Sequence, residues 1–176
     1  MTRALLREAI ATYLEDSEIE YLGVIQRQAP KLTAQGDIVA DPAYSAFKPG
    51  VSMGAAVFMR LSESSMRRVA FGGPTNGRKF KTYKVEFDVL FRAQTALAED
   101  AGDANDEFLD SFETAILANR TAASSDIFQW GEGGDSGGTD IYVESFYPTL
   151  ISTSGDSNVV QIVSKVTVTA CEFLDT

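Results

Sequence analysis

The sequence predicts an α+β fold: a mixed, mainly antiparallel sheet with an N-terminal helix and a central helix packed on one face, all within a single domain spanning residues 1–176. Three observations predict it. Leu6, Ala9, Ile10, Tyr13 and Leu14 recur at helical spacing in the opening segment. Tyr83, Val85, Phe87, Val89 and Phe91 fall on one face of a strand whose other face carries Lys84, Glu86, Asp88 and Arg92, the period of two of a half-buried antiparallel strand. Phe108, Leu109, Phe112, Ala115 and Ile116 then return to the helical period.

The first helix is expected from about Arg3 to Glu15, with Thr2 as its N-cap because a hydroxyl there can accept an otherwise orphaned backbone N–H. Tyr21–Gln26 has the alternating, branched character of a short strand. Ala29 to Gly50 is aperiodic and carries several breakers, so it reads as a long loop with one strand near Asp37–Ala40. Ala55–Ser62 and Met66–Phe71 are separate strand candidates, followed by a turn through Gly72, Gly73, Pro74, Asn76 and Gly77. The clearest strand runs from Phe80 to Ala93. The second helix is expected to start at Asp103 as N-cap, to place Asp106 and Glu107 in the positive first turn, and to end near Asn119 and Arg120. Ile127–Trp130, Ile141–Leu150 and Val159–Phe173 read as closing strands. Residues 131–138, with five glycines in eight, read as a mobile hairpin tip.

At 176 residues and 19.0 kDa, one core is expected, burying roughly 70% of the surface that the unfolded chain exposes. Apolar residues at 44% and charged residues at 23% are near globular averages and give no reason to expect disorder. No apolar run approaches the roughly 20 residues that cross a bilayer, and Arg3, Arg7 and Glu8 occupy the place of a signal core, so a soluble, unexported chain is expected. A lone cysteine, Cys171, excludes an internal disulfide framework and reads as a small buried residue of the last strand. Histidine is absent, which removes the commonest metal ligand and the commonest proton carrier near neutral pH. No cofactor, no metal and no catalytic residue is expected.

Four motifs suggest chemistry. Gly134-Asp135-Ser136-Gly137-Gly138 matches the segment around the nucleophile of trypsin-like proteases, but that serine works only through a histidine, and there is none. Gly72 to Lys79 has the glycine separation of a phosphate-binding loop, yet Arg78 stands at the lysine position and Lys79 where a hydroxyl must ligate magnesium. Asp100, Asp103, Asp106 and Asp110 lack the alternate-residue spacing of a calcium loop and read as helix-capping acids. Asn119-Arg120-Thr121 fits a glycosylation acceptor, which has no meaning in an unexported chain.

Charge is the informative feature. Residues 1–92 carry 13 basic and 10 acidic side chains (+3), whereas residues 93–176 carry 2 and 15 (−13). Tight wrapping of nucleic acid depends on Lys and Arg displacing phosphate counterions, so an acidic chain is poorly suited to it. Opposite signs on two parts of one subunit favour contact between copies.

The opening helix, the strand pair with a long basic hairpin (Ala55–Phe91), the acidic helix (Asp103–Arg120) and the closing strands (Ile141–Phe173) together resemble the tail terminator proteins of long-tailed bacteriophages, a group that includes neck and tail-completion proteins. The resemblance covers most of the chain and rests on element order. It implies a structural virion subunit, made in the host cytoplasm, whose ring of six copies caps the head-proximal end of the tail tube. The implied partners are other copies of itself, the major tail tube protein and a head-side connector or stopper. Genomic DNA would pass through the lumen without specific binding. A major tail tube subunit and a head-tail stopper are the nearest alternatives, and a small ligand-binding or enzymatic domain is a remote one. A ring needs a heterologous contact, and the charge division assigns it: Arg67, Arg68, Arg78, Lys79, Lys81 and Lys84 of the hairpin against Asp103, Asp106, Glu107, Asp110 and Glu113 of the adjacent copy.

Overall fold

The computed structural model describes residues 2–28, 31–32, 38–39, 52–68, 79–94, 98–119, 128–131, 141–146 and 159–174. Helix α1 spans Arg3–Asp16, and the Thr2 hydroxyl accepts the Leu5 N–H at 3.3 Å, as the N-cap expectation requires. Its other end is closed by Ser17, whose hydroxyl donates to the Tyr13 carbonyl at 2.6 Å. Replacing Thr2 by Ala should therefore cost about 1 kcal/mol in denaturant unfolding, because one N-terminal donor loses its acceptor. Leu6, Ile10 and Leu14 are fully buried, and Ala9 and Tyr13 pack beside them.

The turn after α1 holds Glu18 and Tyr21 at φ 50° and 54°, the left-handed region that costs a side-chain-bearing residue roughly 1–2 kcal/mol. Tyr21 is held there from both ends. Its ring packs edge-on against Phe91 at 6.0 Å, and its hydroxyl donates to Glu107 at 3.2 Å. Strand β1 (Leu22–Gln26) follows. Two short strands, β2 (Lys31–Leu32) and β3 (Ile38–Val39), pair antiparallel, so the one strand expected near Asp37–Ala40 has a partner.

Strands β4 (Met53–Arg68) and β5 (Lys79–Gln94) form a 16-residue antiparallel hairpin, in register from Met53↔Ala93 to Arg68↔Lys79. Here the structure corrects the sequence reading, which divided β4 into Ala55–Ser62 and Met66–Phe71. The interruption is a bulge between Leu61 and Glu63, not a break. Beyond it Ser62, Glu63, Ser64, Ser65 and Met66 are all exposed, and a strand with no core to cover needs no apolar alternation. The turn expected at 72–77 lies outside the described residues.

Helix α2 spans Ala98–Asn119 and so begins five residues before the expected Asp103 cap. Glu99 and Asp100 supply the acidic first turn instead, and Asp106 and Glu107 lie well inside the helix. Gly102 is absorbed at a modest propensity cost. The closing strands are β6 (Gln129–Trp130), β7 (Ile141–Phe146) and β8 (Val159–Leu174). Gly131 ends β6 at φ 96°, a conformation that favours glycine, and its N–H donates to the Thr169 carbonyl at 2.6 Å. The rest of the glycine-rich run, including Ser136, lies outside the described residues.

The sheet order is β1-β4-β5-β8-β6, with β7 also pairing to β8 and β1 parallel to β4. Both helices cover one face, giving the α+β arrangement that the periodicities predict. Tyr83, Val85, Phe87, Val89 and Phe91 are all fully buried there, with Phe87 5.2 Å from Phe112 and Phe91 6.3 Å from Phe108. Tyr13 links the layers: its ring meets Phe128, and its hydroxyl donates to the Ala115 carbonyl at 2.6 Å. A second, smaller cluster of Ala56, Phe58 and Leu90 is buried on the opposite face. No helix among the described residues is long and apolar enough to cross a membrane.

Candidate functional site

The acidic residues singled out in the sequence share one helix. α2 carries seven acids and no Lys or Arg. Asp103, Asp106, Glu107 and Asp110 are exposed, whereas Glu113 is half-buried. Burial, and then the neighbouring Asp110 charge, push the Glu113 carboxyl up from its ordinary value. Asp103 and Glu107, and Asp106 and Asp110, stand four residues apart, where like charges repel by a few tenths of a kcal/mol per pair. The helix tolerates this because Phe108, Phe112 and Ile116 anchor its other side, leaving an anionic stripe toward solvent.

The basic residues are more dispersed. Arg67 and Arg68 occupy the last two positions of β4, opposite Phe80 and Lys79. Arg78 lies outside the described residues. The Lys81 ammonium sits 4.9 Å from the centre of the Tyr83 ring. Lys84 is engaged within its own subunit, 3.5 Å from Glu86 and 4.0 Å from Glu63. Among the described residues no ion pair joins the hairpin to α2 within one copy.

Sequence reasoning missed the charge network around Glu86. Its side chain is only 10% exposed and faces three cations: Arg60 at 3.0 Å, Lys84 at 3.5 Å and Lys165 at 3.7 Å. Arg60 also reaches Asp88 at 3.3 Å. Burial pushes the Glu86 carboxyl up, but the Ser62 hydroxyl together with Lys165, Arg60 and Lys84 outweighs it and holds the group below its ordinary value. The wet-face alternation of β5 hinted at this. The cross-strand partners Arg60 and Lys165 come only from the register Arg60↔Glu86 and Asp88↔Lys165.

A second polar pair is enclosed under α1, where the Tyr83 hydroxyl donates to Glu172 at 2.6 Å. Burial, reinforced by that carboxylate, pushes the Tyr83 hydroxyl well above its ordinary value, so it stays protonated and donating. Away from the helices a cleft of about 410 Å³ opens between Ser65, Thr82, Lys84, Tyr142, Thr167 and Thr169. Its wall is hydroxyl-rich, with one cation, one anion (Glu63) and one exposed aromatic. Among the described residues no three metal-ligating side chains converge, and Cys171 is buried. What the arrangement offers is surface: an anionic helix, the exposed end of β4 and a polar concave sheet. No family model matches the chain, and no curated protein matches it.

Proposed function

We propose that this chain is a ring-forming structural subunit of the tail terminator type, capping the head-proximal end of a phage tail tube and presenting a surface to the head-side connector. The observation that supports this reading is the pairing of two unlike surfaces on one subunit. β4 is exposed at every residue from Ser62 to Met66 and ends in Arg67 and Arg68, while α2 is acidic at every exposed position from Glu99 to Asp110. Unlike patches on one molecule give heterologous contacts, which form a ring where the rotation between copies closes. The acidic balance suits a lumen through which DNA passes, since a strongly basic one would hold the phosphates.

Electron microscopy of the purified protein should show discrete rings. Their absence at high protein concentration, alone and with tube protein, would count against the reading. Copy number per virion separates a terminator or stopper, present as one ring, from a tube subunit, present as many. The charge contribution is tested by changing Arg67 and Arg68 to Glu. Assembly followed by light scattering should slow several-fold, because rim charges act mainly on encounter, with each exposed pair contributing about 0–1 kcal/mol. Mixing with a variant carrying Asp106→Lys and Asp110→Lys should restore part of the rate. Assembly indifferent to both changes would show that these charges do not meet.

A further inference from the structure

Among the described residues the sheet has two open edges, and they complement each other. β1 covers β4 only along Ala55–Phe58, so among the described residues no strand lies outside β4 from Met59 to Arg68, and none lies outside β7. An open edge presents a row of unpaired N–H and C=O groups, and natural sheets guard such rows with proline, charge or a covering segment. Neither strand contains proline. Of the four large apolar side chains that stand exposed among the described residues, two lie on these edges: Met66 at 56% and Tyr142 at 67%. The charges also differ in sign, since β4 ends in Arg67 and Arg68, whereas Asp140 precedes β7 and Glu144 lies within it.

Direction and level agree as well. β4, β5, β8 and β7 are antiparallel in succession, so β7 runs antiparallel to β4, and copies repeated head to tail along the sheet bring them together as an antiparallel pair. Through Val163↔Leu90↔Ala56 and Val168↔Val85↔Leu61, β7 lies level with Ala56–Leu61. The free run Glu63–Arg68 lies farther along, opposite Lys84–Lys79. Successive copies are thus offset by about six residues, roughly 20 Å, over four strands, roughly 19 Å. That stagger corresponds to strands tilted about 45° from the ring axis, close to the tilt at which sheets close on themselves.

We infer that β7 of one copy adds to the free run of β4 in the next, so that main-chain pairing across this joint, with Tyr142 and the Arg67–Arg68 end at its margins, closes the assembly. This rests on the ring-forming reading and names its contact.

Hydrogen exchange of the unmodified protein tests the joint. On assembly the outward-pointing amides of 63–68 and 141–146, those not already bonded to β5 and β8, should slow by roughly tenfold or more relative to the dilute monomer. Single variants Ser65→Cys and Glu144→Cys, exposed positions that face each other in this register, should give a disulfide-linked dimer when mixed, assembled and oxidised, and neither should do so alone; the native Cys171 is buried. Rings whose edge amides exchange as fast as in the monomer overturn the joint while leaving the ring reading intact. A cross-link formed by either variant alone means a symmetric contact and overturns it too. Failure of the unmodified protein to assemble removes both.

Discussion

Phe87→Ala should destabilise the protein by about 3–5 kcal/mol, a large share of the 5–15 kcal/mol that holds a typical domain together. Phe87 is fully buried in β5, which has β4 on one side and β8 on the other. Its ring meets Phe112 of α2 at 5.2 Å and Trp130 of β6 at 6.4 Å, both edge-on. Truncation loses the transfer energy of the ring and opens a cavity where sheet, central helix and closing strands converge. The β5 backbone cannot move in to fill it, because it is hydrogen-bonded on both sides. Phe87→Leu keeps most of the volume and should cost much less. Urea unfolding measures both. The midpoint should fall with the slope unchanged, and a cost below about 1 kcal/mol for the alanine variant would mean that the helix layer does not depend on this contact. Because α2 carries the acidic stripe, assembly should weaken in the same variant.

The elements legible in the sequence are those whose pattern is local. α1 was readable to within a residue because Thr2 caps it and Leu6, Ile10 and Leu14 recur on one face. β5 was readable because one of its faces is wholly core. The distal half of β4 was not, since Ser62–Met66 are exposed and cover no core, and a polar run beyond a bulge resembles a turn. The start of α2 was misplaced because Asp103 is a good cap by type, while Glu99 and Asp100 are equally good first-turn residues. The parallel pairing of β1 with β4, and the sharing of one β8 edge by β6 and β7, are long-range facts with no sequence period behind them.

The candidate surfaces divide in the same way. The acidic stripe of α2 could be read directly, because helical spacing alone puts Asp103, Asp106 and Asp110 on the side away from Phe108 and Phe112. The basic group could not. Lys84 looks like a free cation in the sequence, but the register places Glu86 and Glu63 within 4.0 Å of it. Lys81 similarly acquires the Tyr83 ring. Charge counts describe the halves of the chain, but only strand pairing decides which charges are already compensated inside the subunit.

Glu86→Gln should cost about 1–2 kcal/mol at neutral pH, and the cost should shrink in acid. The carboxylate faces Arg60, Lys165 and Lys84, and an isosteric amide keeps the shape but removes the charge that these cations face. The full penalty for breaking a buried pair, about 3–5 kcal/mol, does not apply, because the three cations are 35–43% exposed and stay hydrated. The pH dependence follows from the depressed Glu86 value. The folded protein takes up this proton less readily than the unfolded chain, whose glutamate titrates near 4.3. The stabilisation is therefore complete above that value and is lost as pH falls through the lower folded one. Unfolding the wild-type protein and the variant in urea at pH 7 and pH 3, at matched ionic strength, should show a gap at pH 7 that narrows at pH 3. A gap of equal size at both would mean that the amide disturbs packing and that the carboxylate's charge contributes nothing. The consequence reaches the cleft face, because Lys84 and the Ser62–Glu63 bulge meet at Glu86. Loss of its charge should release Lys84 toward solvent and loosen the start of the exposed arm of β4.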